Sequence, residues 1–343
     1  MRQRQRSAPD LALSQVRTAV RRFLITHNTA ETVAVACSGG ADSLALAAAT
    51  AHCGPRLGVA MHGLIVDHQL QPGSAEVAHR TAAMLQQLGC AEVRVLQVGV
   101  SGPGGLEAAA RRARYRALRQ AAPQGALVLL GHTLDDQAET VLMGLGRGSG
   151  PRSLAGMREL DPPWGRPLLQ VRRTVTAAAC AALGLQPWVD PHNSDPRFRR
   201  VRLRREVLPL LEDVLAGGVA QALARTAGQL REDLNVLDGL AGRLLAEARQ
   251  GTELTVAPLA GQPAALRRRV LRRWLLDAGV RELTDGHLRA ADELIGRWAG
   301  QGALRLPGAI ELYREQGRLC LRRPPAGPGP AQRVPAPAAG GAP

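Results

Sequence analysis

The chain has 343 residues, 45% of them apolar, which is ample for two cores; 44 basic against 29 acidic side chains give a net charge of +15 and point to a polyanionic partner, above all a nucleic acid. Every basic side chain is arginine, and the absence of lysine excludes a Walker-type phosphate loop as well as Schiff-base and pyridoxal chemistry. The five cysteines form no C-x-x-C pair, which argues against zinc ribbons, iron–sulfur sites and redox pairs, and with no apolar leader or membrane-length stretch the reading is a soluble cytoplasmic protein with no membrane partner.

In chain order, a short basic amphipathic helix is expected over about 14–27. An alternation of strands and helices follows. Strands are expected at Thr32–Cys37, Leu57–Val66, Val93–Val98 and Ala126–Leu130, and helices at Ser43–His52, Ser74–Leu88, Leu106–Ala121 and Asp135–Leu145. Four such alternations predict an α/β fold, a parallel sheet with helices on both faces. Beyond Gly146 the chain reads as loop, with a helix at Thr174–Leu183 and a very basic segment before residue 210. Long helices rich in Ala, Leu and Arg follow at Gly218–Gln250, Ala264–Ala278 and Thr284–Trp298, then strand-like pieces at Leu304–Leu306 and Ile310–Tyr313. The organisation expected is a basic helix within 1–28, an α/β domain over 29–215, a smaller, mostly helical domain over 216–322, and a disordered Pro/Gly/Ala tail over 323–343.

The chemistry begins where the first strand ends. Ser38-Gly39-Gly40-Ala41-Asp42-Ser43 lies between that strand and the next helix. Glycines let backbone N–H groups wrap phosphate oxygens, the helix offers its positive N-terminus to the same anion, and Ser38 and Ser43 can add hydroxyl donors. Asp42 is a hard oxygen ligand suited to Mg²⁺. A plain Gly-rich turn with serine caps is the alternative.

Three further stretches carry candidates. Glu107, Arg111 and Arg114 share one helix face, beside Tyr115; a solvated Glu–Arg pair is the competing reading. His132, Asp136 and Glu139 follow the fourth strand, at the carboxyl edge where open α/β sheets bind ligands, and share a face if the helix starts early. They combine a proton carrier with carboxylates able to hold an amine, although Asp135 could instead be a plain N-cap. Arg147, Asp195 and the run Arg197–Arg205 with Arg202 could grip a nucleic-acid backbone, or form a solvated basic helix.

The loop hexapeptide resembles the signature of the PP-loop ATPases, or N-type ATP pyrophosphatases. The whole set resembles the tRNA(Ile)-lysidine synthase family: S-G-G-x-D-S, Asp67-His68-Gln69-Leu70, A-R-x-A-R-Y, G-H-T-x-D-D-Q-A-E-T, R-G-S-G, R-P-L-L and D-P-x-N-x-D, in order over about residues 30–210. One departure is that Val201 stands where the family usually has Asn. The resemblance implies an adenine nucleotide alpha hydrolase-like fold and a ligase using ATP and Mg²⁺. Its partners would be tRNA(Ile) with a CAU anticodon and free L-lysine, with room left for a homodimer. ATP would adenylate C2 of the wobble cytidine, and the lysine amine would then displace AMP. On this resemblance Ser38–Ser43 hold the phosphates, with Asp42 on Mg²⁺. Arg111 or Arg114 offsets charge at the α-phosphate, and His132 lies near the adenylated base. Asp136 and Glu139 serve the lysine amine, and Arg147, Asp195 and Arg202 bind substrate. The rivals are another PP-loop tRNA-modifying enzyme, such as a thiolase, and a catalytically silent RNA-binding protein.

Overall fold

The computed structural model describes residues 8–28, 30–71, 73–102, 105–148, 150–191 and 195–323. The expected disordered tail, from residue 324 onward, lies outside them, as do Ser149, His192 and Asn193 of the quoted motifs. The chain divides into two compact units, Met1–Arg231 and Glu232–Pro343.

The first unit opens with α1 (Ala8–His27), longer than the expected helix. Its stripe of Ala12, Val16, Val20, Phe23 and Leu24 is buried. Val16, Val20, Phe23 and Leu24 join one core with α2 (Ala41–Cys53) and the strand β1 (Thr32–Ala36). The helix is therefore part of the α/β core. Beyond α2 come β2 (Ala60–Asp67), α3 (Ser74–Gln87), β3 (Glu92–Gln97), α4 (Gly105–Ala121), β4 (Leu127–Leu130) and α5 (Leu134–Arg147). Next are the short α6 (Pro151–Leu154), β5 (Leu160–Asp161), β6 (Trp164–Gly165) and α7 (Arg173–Ala182).

The sheet order is β3-β2-β1-β4-β6-β5, parallel throughout except for the β5–β6 pair. β1 lies in the middle and is buried on both faces, as the parallel class requires. Val33 and Val35 face the core shared with α1, α2 and α7, while Ala34 faces the opposite core, which holds Leu118 and Ala121 of α4 and Trp164. The β5–β6 hairpin falls in D-P-P-W-G-R-P, which reads as a loop because two-residue strands carry no detectable period. Order reverses at β1, whose neighbours are β2 and β4, so a crevice opens at the carboxyl ends of β1 and β4.

The first unit closes with α8 (Arg199–Arg202), a π-helical turn at Leu203–Val207, α9 (Leu208–Val214) and the start of α10 (Val219–Ala248). The sequence suggests a boundary near 215, but the division falls inside α10, between Arg231 and Glu232. The reason is packing. Ala220, Leu223 and Ala224 of α10 share a cluster with Leu134 and Ala138 of α5, and Arg231 donates to the Ala155 carbonyl.

The second unit contains β7 (Arg249–Gln250), β8 (Glu253–Thr255), α11 (Ala257–Ala260), α12 (Ala264–Asp277), α13 (Asp285–Gly296), β9 (Leu304–Leu306), β10 (Ile310–Glu315) and β11 (Arg318–Arg322). Helices predominate, as expected, but the strands form a five-stranded sheet in the order β7-β8-β11-β10-β9, with all pairs antiparallel. Only two of its strands are visible in the sequence. Fully buried Trp274 anchors the core of this unit and donates its indole N–H to the Thr252 carbonyl at 3.1 Å. No single helix among the described residues is long and apolar enough to cross a membrane.

Phe23 tests whether α1 belongs to the core. It is fully buried, and a Cβ added at Gly165 would meet its ring at 2.5 Å. Phe23→Ala should cost about 3–5 kcal/mol, read as a lower urea midpoint with unchanged slope. A loss within about 0.5 kcal/mol would make α1 an appendage.

Candidate active site at the sheet switch point

Two turns meet in the crevice. The first is the loop after β1. Gly39 has φ of +81°, and a Cβ there would lie 2.6 Å from Thr81 Oγ1, so only glycine makes this close turn. The Gly39 carbonyl accepts from Trp188 N at 2.9 Å, which ties the loop to the segment after α7. Ser43 is buried. Its hydroxyl donates to Gly40 O at 2.9 Å and accepts from Ser38 N at 3.2 Å, so it braces the loop from within. Ser38 lies exposed at the loop's tip. Gly40 is the N-cap of α2 and supplies no side-chain cap, which leaves the first N–H groups of Ala41, Asp42 and Ser43 free of a capping side chain.

The second turn, after β4, approaches so closely that a Cβ on Gly131 would lie 3.0 Å from the Asp42 backbone. The cap of α5 is Thr133, not Asp135. Thr133 Oγ1 accepts from Asp136 N, and Thr133 N donates to Asp136 Oδ2 at 2.8 Å, a reciprocal capping box. His132 therefore lies outside the helix, and the early helix start that would align it with Asp136 and Glu139 does not occur. Asp135 is turned to another use: its Oδ2 accepts from the backbone N of Arg173 at 2.8 Å, satisfying an open donor at the start of α7.

What joins the two turns is the first turn of α7, which none of the sequence motifs includes. Arg173 Nε donates to Asp42 at 3.2 Å, Nη2 to Asp136 at 2.6 Å and Nη1 to Glu139 at 3.4 Å. Thr176, one turn on, donates its hydroxyl to the other oxygen of Asp42. Glu139, whose side chain has 0% exposure, also accepts from Arg204 Nε at 2.8 Å, with Arg200 3.9 Å away. Four carboxylates (Asp42, Asp135, Asp136, Glu139) thus meet four arginines (Arg172, Arg173, Arg200, Arg204), because buried charge is tolerated only when paired.

The electrostatics follow. Burial pushes the Asp42 carboxyl up, against the pull of Thr176 and Arg173. Burial pushes Asp136 up too, but Arg173, the Thr133 hydrogen bonds and His132 outweigh it and hold the carboxyl below its usual range. Burial also disfavours the charge on Arg173, and Asp136, Asp42 and Glu139 more than restore it. His132 is driven down to about 3 by burial and by Arg114, Arg166 and Arg111, against the opposing pull of Asp136. It is neutral at any working pH.

Of the residues expected at the site, the structure brings together Asp42, Asp136 and Glu139, and places His132 in the electrostatic reach of Arg114, Arg111 and Asp136. Arg111 is exposed, donating to the Tyr115 hydroxyl at 3.2 Å. Arg114 is more enclosed, and its Nε is buried without a partner among the described residues; so are His132 Nδ1, His68 Nδ1 and Arg166 Nε. Buried polar atoms left open in one neighbourhood suit a ligand rich in acceptors. Arg147 is exposed at the end of α5. Asp195 is held by Arg197, with Nε at 2.9 and 3.1 Å from its two oxygens. Arg202 points outward and pairs with Glu206 at 2.9 Å, while Arg200 and Arg204, on the opposite face, reach Glu139. The inward arginines of this run are therefore 200 and 204, with Arg202 on the solvent side. A helical-wheel reading of the run separates 200 and 204 from 202, but nothing local says which face turns inward.

The comparisons with known proteins bear on the family. Residues 13–211 match the family model described as the PP-loop domain, and residues 254–320 match the one described as the TilS substrate binding domain. The tRNA(Ile)-lysidine synthase of Mycolicibacterium paratuberculosis is 58% identical over 320 residues, covering 92% of this chain and 98% of the relative. That of Rhodococcus jostii is 56% identical over 313 residues, covering 90% and 95%. Among solved structures, the U34-tRNA thiolase NcsA from Methanococcus maripaludis superposes with a TM-score of 0.53 at 17% identity, over 65% of this chain and 80% of that one, a likeness of fold alone. With both domain models matched in order and relatives this similar along nearly their whole length, the chain belongs to the tRNA(Ile)-lysidine synthase family.

Proposed function

We infer that this chain is an ATP-dependent ligase that joins free lysine to C2 of the wobble cytidine of tRNA(Ile) bearing a CAU anticodon, through an adenylated cytidine, and releases pyrophosphate and AMP. The observation that carries the reading is that one guanidinium, Arg173, touches both Asp42 of the phosphate loop and Asp136 of the α5 turn. The loop read as the nucleotide site and the acid read as the amine site thereby lie side by side, which supports a reaction of adenylation followed by amine transfer.

The loop from Ser38 to Ser43 and the uncapped N-terminus of α2 receive the phosphates. Asp42 is the residue that would hold Mg²⁺. Magnesium keeps several waters and phosphate oxygens beside one or two carboxylates, and the hard carboxylate of Asp42 in the loop fits that donor set. Bound there, Mg²⁺ would neutralise charge on the phosphate oxygens. Arg114, with an open buried Nε, would stabilise charge growing at the α-phosphate, with exposed Arg111 supporting it. Neutral His132 has an open Nδ1 for the base. Asp136 receives the lysine ammonium, which must displace Arg173 from it, with Glu139 beside it as a second acid. The outward arginines, Arg147 and Arg202, with Asp195 ordering Arg197, form the surface offered to the tRNA backbone.

Sulfur transfer is disfavoured by the thiols. Cys37 beside the loop is buried and its pKa is raised by that burial; Cys90 and Cys180 are each pushed to about 11 by theirs.

Incubation of the chain with unmodified CAU tRNA(Ile), ATP and lysine, followed by nucleoside mass spectrometry, should convert the wobble cytidine to lysidine, with AMP and pyrophosphate formed only when tRNA is present. An unchanged cytidine would overturn the assignment, and binding of tRNA without AMP would favour a silent RNA-binding protein. Arg114→Ala should slow pyrophosphate release about 10²–10³-fold while leaving ATP affinity near wild type; a loss confined to ATP affinity would place Arg114 in ground-state binding instead.

The pH dependence follows from the shifted groups. His132 is uncharged down to about 3, and the Asp136 carboxyl lies below its usual range, so neither changes charge near neutrality. The lysine amine, with a free pKa of about 10.4, is then the group that titrates. Single-turnover lysine transfer from pre-formed adenylated tRNA should rise with unit slope between about pH 6 and 9. An inflection near neutrality that His132→Gln removes would show that His132 does charge.

A further inference from the structure

Resting on the ligase reading above, the carboxylates needed by two different substrates share one arginine. Arg173 directs its three nitrogens at three acids: Asp42 at 3.2 Å, Asp136 at 2.6 Å and Glu139 at 3.4 Å. The second oxygen of Asp136 is committed to Thr133, at 2.8 Å from both its N and its Oγ1, so Oδ1, the oxygen facing Arg173, is the one an incoming ammonium can reach without breaking the cap of α5. The second oxygen of Asp42 is held by Thr176, from the same turn of α7. On that reading the resident guanidinium stands where the lysine ammonium has to bind.

The same guanidinium reaches the phosphate loop. A planar fork prefers phosphate oxygens and pairs with them in two parallel bonds. A nucleotide in the loop brings several such oxygens to the Asp42 side of Arg173.

We propose that Arg173 is a positioning residue that makes lysine binding depend on the nucleotide: it blocks Asp136 Oδ1 until nucleotide enters the loop and then moves onto the phosphate side, which frees that oxygen for the ammonium. The arrangement delays the amine until ATP is in place. Arg204, which stays on Glu139 at 2.8 Å, keeps that fully buried carboxylate compensated when Arg173 leaves. Coupling of this kind is reciprocal, so lysine also tightens the nucleotide by the same factor.

The test is equilibrium dialysis of radiolabelled lysine against the full chain with unmodified CAU tRNA(Ile), with and without Mg²⁺ and α,β-methylene-ATP, which cannot be adenylated onto the base. In the wild type the nucleotide should raise lysine affinity about 5- to 150-fold, the range usual for coupled sites. Arg173→Gln should bind lysine without the nucleotide at least as well as the wild type and lose the dependence. Arg173→Lys keeps the charge but can hold only one acid at a time, so its coupling should be intermediate. It also retains a cation among the acids, which keeps the measurement interpretable should the Gln variant unfold. A purely structural Arg173 predicts the opposite pattern, with Arg173→Gln weakening lysine equally with and without nucleotide. That result overturns the proposal, as does a wild type whose lysine affinity ignores the nucleotide, or an Arg173→Lys variant with full coupling. Wild-type protein that retains no lysine under any condition would instead overturn the ligase reading on which the proposal rests.

Discussion

A buried carboxylate must find a cation, and in this protein that requirement decides how distant segments meet. Glu139 is fully buried, and Asp42 and Asp136 are mostly so. An unpaired charge in such a place costs several kcal/mol. Arg173 from α7, with Arg200 and Arg204 from the basic segment after it, supplies the compensation. The pairing pulls α7 against the phosphate loop and the basic segment against α5. Hydrogen bonds repeat the same joins: Leu134 N donates to the Val171 carbonyl at 2.9 Å, and Trp188 N to Gly39 at 2.9 Å.

Such a knot is a poor source of net stability, because desolvation offsets most of the Coulomb gain. Its value is in specifying position. An apolar plug would hold the same elements together with less geometric definition, and it could not exchange partners with a charged substrate. Here the groups that fix the register of α5 and α7 include Asp42 and Asp136, two of the acids proposed for the chemistry. The loop after β1 has braces of its own as well, Ser43 on Gly40 and the tight turn at Gly39.

Much of this architecture is legible in the amino-acid sequence. The alternation of apolar runs with helical stretches locates β1 to β4 and their helices to within a few residues; the central β1 is legible because a strand buried on both faces is a continuous run of Val and Ala. The phosphate loop is legible because its chemistry is local: Gly39, Gly40 and Asp42 act through one turn of backbone. Elements too short to carry a period escape such a reading, namely the β5–β6 hairpin and three of the five strands of the second sheet. The sequence pattern understates the extent of α1 because the turns before residue 14 bury only one small residue, Ala12. The boundary expected near 215 follows a change in composition, whereas the packing of Ala220, Leu223 and Ala224 against α5 carries the first unit into α10.

The sequence by itself determined the fold class, the exclusion of chemistry on a lysine side chain and the family, since each depends on residues close together in the chain or on composition. Only the tertiary structure decided which arginines serve the site. By local pattern Arg111 and Arg202 are as suitable as Arg114 and Arg204, and Arg173 lies in no motif. In space, Arg111 and Arg202 meet Tyr115 and Glu206 at the surface, while Arg173 and Arg204 meet the buried acids. A guanidinium on a flexible stem can satisfy any acid within reach, and reach between segments more than a hundred residues apart, as for Asp42 and Arg173, is set by the packing of the sheet and its helices, which no local pattern encodes.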